Sequence, residues 1–109
     1  MMMEMFLSEE KAKLHNIDLK RCYEVVDKYF AENGVEKLDT GIYKGTDKDF
    51  STIMGAQWDL PKTNWFLKVV DQWYFRYEGD SIEYREDALE SYYRIKAKRR
   101  EFFKNKKSY

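Results

Sequence analysis

The stretch that most constrains this chain runs Trp73-Tyr74-Phe75-Arg76-Tyr77-Glu78-Gly79-Asp80-Ser81-Ile82-Glu83-Tyr84-Arg85. Two runs of aromatic and β-branched residues flank Gly79-Asp80, and a glycine-first pair suits a two-residue type II′ turn. Pairing outward from that turn sets Arg76 against Glu83 and Phe75 against Tyr84. Side chains alternate across a strand, so Trp73, Phe75, Tyr77, Ile82 and Tyr84 share one face. Arg76 and Glu83 then meet on the other face as an opposite-charge pair. The expectation is a β-hairpin.

Around it the chain offers helices. Ser8 is placed to cap a short helix reaching Leu14, with Glu9 and Glu10 in a first turn that favours acids. Asp18 is a second cap. Leu19, Cys22, Val26, Tyr29 and Phe30 form one apolar stripe, and Asn33-Gly34 ends it with glycine at the left-handed position. A third cap, Asp87, opens a helix running to about Lys104, whose residues Leu89, Tyr92, Tyr93, Ile95 and Phe102 are expected to face the sheet. Between these helices, Val35 to Lys44 reads as one short strand around Leu38, Ile42 and Tyr43. Residues 50–60 fit two patterns: Phe50, Ile53, Met54 and Trp58 make a helical stripe, whereas Thr52, Met54, Ala56 and Trp58 alternate. The strand reading is preferred, and Pro61 ends the segment. Residues 65–78 also admit a helical stripe, but β-branched and aromatic content favours strand. Residues 1–7 show no clear period.

The fold expected is therefore α+β, a single domain over residues 1–109. It has one or two N-terminal helices, a small three- or four-stranded antiparallel sheet with its hairpin at Gly79-Asp80, and a basic C-terminal helix packed on the sheet. A chain of 109 residues can bury one core. A single cysteine precludes an internal disulfide and suits a reducing compartment. No apolar run approaches the roughly 20 residues of a membrane span, and no secretory signal stands at the start. A cytoplasmic location is expected, away from any membrane.

The net charge of zero hides an asymmetry. Residues 1–93 carry 12 Lys and Arg against 19 Asp and Glu, a balance of −7, while residues 94–109 carry +7. Arg94, Lys98, Arg99, Lys104, Lys106 and Lys107 could neutralise phosphates, and nearby aromatics could stack on unpaired bases. Cations near a helix C-terminus also suit the helix dipole, and the acidic body would repel a long nucleic-acid backbone.

Catalytic chemistry finds little purchase. One His and one Cys cannot build a structural zinc site, and the five glycines match no phosphate-binding loop. His15 and Cys22, seven residues apart, would lie about 10 Å apart along a continuous helix. No cofactor, no metal and no catalytic residue are expected. The aromatic load points elsewhere. In residues 65–70 and 73–77 both strand faces are apolar, so helices on one face would leave large side chains exposed. Trp58, Trp65, Phe66 and Tyr74 are the candidate partner-binding residues, since exposed aromatics ringed by charge mark protein interfaces. The leading functional expectation is a non-catalytic protein-binding module: an inhibitor, an immunity or antitoxin protein, or a phage accessory protein. Its acidic body would favour a basic partner such as a nucleic-acid enzyme. The alternative is nucleic-acid binding through the basic C-terminal helix.

Overall fold

In the computed structural model, which describes residues 1–77 and 81–106 (side chains of 102–106 excepted), the centre of the molecule is the N-terminal strand β1, Met2–Leu7. It pairs on both sides, antiparallel to β3 (Ile42–Lys44) and to β4 (Val70–Arg76). The edges are β2 (Glu36–Asp39) beside β3 and β5 (Arg85–Asp87) beside β4. The result is one five-stranded antiparallel sheet in the order β2-β3-β1-β4-β5. The sheet is larger than the three or four strands expected, because residues 1–7 join it and residues 35–44 divide in two. The division falls at Thr40-Gly41. Gly41 has φ +77°, and a Cβ there would lie 2.2 Å from the Met5 carbonyl oxygen, so only glycine lets this turn close against β1.

The helices follow their caps. α1 (Glu9–Leu14) starts at Ser8, whose hydroxyl accepts from the Lys11 N–H at 3.2 Å. α2 (Leu19–Glu32) starts at Asp18, whose carboxylate accepts from Lys20 N–H at 3.1 Å, and it buries Cys22, Val26 and Phe30. Gly34 takes the left-handed position after it, at φ +76°. α5 (Ala88–Lys106) is capped by Asp87, which accepts from Glu90 N–H at 3.0 Å.

Two segments expected as strand are helical. Residues 50–59 form α3 (Phe50–Asp59), entered through a capping box in which Thr46 and Asp49 satisfy each other's backbone N–H groups. Its helical stripe decides the outcome: Ile53 and Ala56 are buried, while Met54 and Gln57 both meet the Tyr77 hydroxyl. The second is a single turn, α4 (Phe66–Val69), whose first N–H is taken by the Thr63 hydroxyl at 3.2 Å. The strand then begins only at Val70.

The hairpin forms with a different register. Phe75 faces Glu86 and Arg76 faces Arg85, two residues along from the expected partners. A short 3-10 turn takes up Ile82–Tyr84, leaving Ile82 69% and Tyr84 45% exposed in place of their expected inward positions. In this register Arg76 has a partner on the central strand, where its guanidinium forms an ion pair with Glu4. Gly79-Asp80 itself lies outside the described residues.

One face of the sheet carries the core. Met3, Met5, Tyr43, Trp73 and Phe75 point into it beneath Val26 and Phe30 of α2, Ile53 and Ala56 of α3 and Phe66 of α4. Phe30 stacks on Tyr43 at 4.4 Å and Phe66 meets Trp73 edge-on at 4.8 Å. The C-terminal helix was expected to lie on the sheet along its length, but only its start does. Ala88 is buried and Leu89 packs on the core, whereas Tyr93 and residues 96–100 are exposed.

Candidate functional site

With α2, α3 and α4 and the start of α5 on one side, the opposite face of the sheet has no helix upon it among the described residues. The register assigns its side chains: Met2, Glu4 and Phe6 of β1, Ile42 and Lys44 of β3, Gln72, Tyr74 and Arg76 of β4, and Arg85 of β5. At its centre the Glu4 carboxylate takes the Arg76 guanidinium on one oxygen and approaches the Arg85 guanidinium at 4.0 Å with the other. The Arg85 guanidinium carbon lies over the Tyr74 ring, 3.6 Å from its centroid. Two arginines facing each other across strands would repel, and the shared carboxylate makes the arrangement tolerable. Glu4 is only 8% exposed, the one buried charged side chain among the described residues. Around this group stand half-buried Met2, Ile42 and Tyr74 and, 39% exposed, Phe6. The face is thus a mixture of aromatic, aliphatic and arginine groups on paired backbone.

A second surface lies on the helical side. Trp58, near the end of α3, and Lys62, in the turn just after it, form one wall of a groove whose other wall is Tyr92, Ile95, Lys96 and Arg99 of α5. Arg99 sits 5.2 Å from the Trp58 ring centroid, and Lys96 sits 5.8 Å from that of Tyr92.

The residues singled out from the sequence do not converge. Tyr74 is on the open sheet face and Trp58 in the α3–α5 groove. Trp65 borders a third place, an open hollow beside α2 that also includes Asp18, Arg21 and Cys22. Phe66 is fully buried against Trp73, which removes it from any surface a partner could touch. Of the six cations named, Arg99 alone lines the groove. Arg94 and Lys98 are exposed elsewhere on α5, the side chains of Lys104 and Lys106 are outside those described, and Lys107 lies outside the described residues. Sequence reasoning missed Glu4, Phe6, Arg76 and Arg85, because it assigned no strand to residues 1–7. It also missed Lys62 and Lys96; the i, i+4 spacing of Tyr92 and Lys96 was a legible signal for the latter.

Cys22 shows no sign of activation. Burial first, and the nearby Asp18 charge second, push its thiol up, away from the thiolate a nucleophile needs. His15 is exposed. Among the described residues no three His, Cys, Asp or Glu side chains gather as metal ligands would, and no helix is long and apolar enough to cross a membrane. No protein-family model matches this chain, and neither a curated protein nor a solved structure resembles it significantly.

Proposed function

We propose that this chain is a small, non-catalytic protein-binding module that docks a partner on the open face of its sheet. The observation that carries this reading is the one-sided sheet: five strands, helices on one face, and Met2, Phe6, Ile42 and Tyr74 around an Arg76–Glu4–Arg85 group on the other. Met, aromatic residues and Arg are the types enriched where proteins meet, and aromatic and Arg anchors carry most binding energy. The raised thiol of Cys22 supports the non-catalytic part of the reading. Such a module would act as inhibitors, immunity proteins, antitoxins or phage accessory proteins do, in the cytoplasm, by covering a partner's working surface. The balance of −7 over residues 1–93 would steer it toward a basic partner, a nucleic-acid enzyme being the natural kind.

The test uses the chain as immobilised bait, followed by reconstitution with whatever purified protein it retains. Replacing Phe6 and Tyr74 together by serine is expected to weaken that complex at least about tenfold, the loss of one modest hot spot. A complex equally strong with this variant would move the interface off the sheet and end the proposal.

A further inference from the structure

After Leu89, α5 leaves the sheet and passes the end of α3, and the groove between them combines two kinds of group. Tyr92, Lys96 and Arg99 occupy i, i+4 and i+7 of α5, one line along the helix. Trp58 and Lys62 face them from the other wall. None of the lining residues is acidic. The carboxylate that approaches Lys62, Asp59, stands off at 3.9 Å with both side chains more than 70% exposed, too weak a pair to hold the lysine. Three cations and two half-buried rings therefore open onto one groove, in a chain whose residues 1–93 carry a balance of −7.

We propose that the α3–α5 groove binds a short stretch of single-stranded nucleic acid, with bases stacking on Trp58 and Tyr92 and phosphates held by Lys62, Lys96 and Arg99. The site is separate from the open sheet face and does not rest on the protein-docking reading. Ring faces and cations alternate here at cation–π separations of 5.2 and 5.8 Å, so a base can slide over a ring while the cation moves to the adjoining phosphate. A duplex keeps its base faces stacked on each other and has none to offer these rings. Its long, dense charge would also run on from the groove over the acidic body. An acidic peptide would neutralise the three cations but leave the ring faces without a partner.

The test is fluorescence anisotropy with a labelled oligothymidine of about 12 nucleotides, a length within the usual single-strand site sizes. Three phosphate contacts predict that affinity falls roughly 20-fold between about 50 and 200 mM salt. Trp58→Ala is expected to weaken binding about 5- to 150-fold, the range for one lost stacking partner. Lys96→Gln with Arg99→Gln should weaken it far more than Arg94→Gln with Lys98→Gln, which removes the same charge from the same helix outside the groove. Circular dichroism checks each fold; if Trp58→Ala does not fold, the paired charge variants decide. The Phe6→Ser, Tyr74→Ser variant should bind the oligonucleotide as the parent does, separating this site from the sheet face. The proposal is overturned by any of four results: no binding at the lower salt, equal loss from the two charge pairs, duplex bound as tightly as single strand, or equally effective competition by polyglutamate. The last would assign the groove to an acidic protein.

Discussion

On one face of the sheet Met3, Met5, Tyr43, Trp73 and Phe75 are sealed beneath helices. One residue along β1 and β4, and on β5 beside them, Glu4, Tyr74, Arg76 and Arg85 stand under no helix among the described residues. The first face is held by apolar burial and ring packing, which is non-directional and punishes any change of volume. The second is held by a carboxylate shared between two guanidiniums, which is directional and depends on every member being present. The difference explains how a sheet with helices on one face among the described residues can stay ordered on the other. Charge-assisted pairing across three strands does on the bare face what side-chain packing does on the covered one.

The comparison breaks most readily at Trp73. Trp73→Ala should destabilise the fold by about 3–5 kcal/mol, enough to unfold a marginal domain, as read from urea titration. Its indole N–H is buried with no acceptor among the described residues, so Trp73→Phe removes an unmet donor along with its volume. The phenylalanine variant should therefore retain most of the lost stability. If Trp73→Phe is as damaging as alanine, shape and not burial governs the covered face.

On the bare face the corresponding variant is Glu4→Gln. Removing the carboxylate that Arg76 and Arg85 share should destabilise by about 1–3 kcal/mol. The decisive companion is Glu4→Met with Arg76→Met. Buried ion pairs replaced by apolar groups of similar size are often neutral or stabilising, so the double variant should recover most of the single variant's loss. It should also enlarge the apolar surface and promote self-association in sedimentation velocity. A double variant as unstable as the single one would mean that the ion group itself, and not mere filling, orders the open face. Phe6→Ser should have a smaller effect still, under about 1 kcal/mol, since its ring is already 39% exposed. A larger loss would show Phe6 to be structural and weaken its assignment to an interface.

Much of this organisation was local and therefore legible. Ser8, Asp18, Asp87 and Gly34 mark helix ends through contacts within a few residues, and the Cys22–Val26–Phe30 stripe needs no distant partner to be recognised. The shared face of Trp73, Phe75 and Tyr77 was legible for the same reason. β1 was not. Its alternation is hidden in a nearly continuous run of Met and Phe, and its strand character comes from pairing with residues about 40 and 70 positions away. Residues 50–59 satisfied both a helical and an alternating pattern, and contacts from Tyr77 accompany the helical outcome. The observed hairpin register brings Arg76 to Glu4, about 70 residues away in sequence, which no local rule contains. The groove was half visible: Trp58 and Arg99 were each singled out on separate grounds, but their meeting is tertiary.

The finest distinction lies in the tyrosines of the covered face. The Tyr43 hydroxyl donates to Asp27 at 2.6 Å, and burial, then that bond and the carboxylate's charge, push its ionisation well above the usual range. Tyr77, half-buried beside α3 and near Glu86, is pushed up to about 12, by burial first and the Glu86 charge second. An unfolded chain releases these protons near pH 10. Between pH 10 and 12 the folded state therefore binds more protons than the unfolded one, and stability falls as pH rises. Below pH 10 both states keep their protons and the contribution is fully present. Each tyrosine can add at most about 1.4 kcal/mol per pH unit to that slope. Tyr77→Phe should accordingly flatten the alkaline decline, as measured by urea midpoints at successive pH values. Near neutrality it should lose only the hydroxyl's contacts with Gln57 and Met54, about 0.5–1.5 kcal/mol. Tyr43→Phe should flatten the decline further and extend the change to higher pH, because its shift is the larger. If neither variant changes the slope, solvent reaches the covered face near Tyr77 and Tyr43, and the contrast between the two faces is weaker than the packing of Trp73 implies.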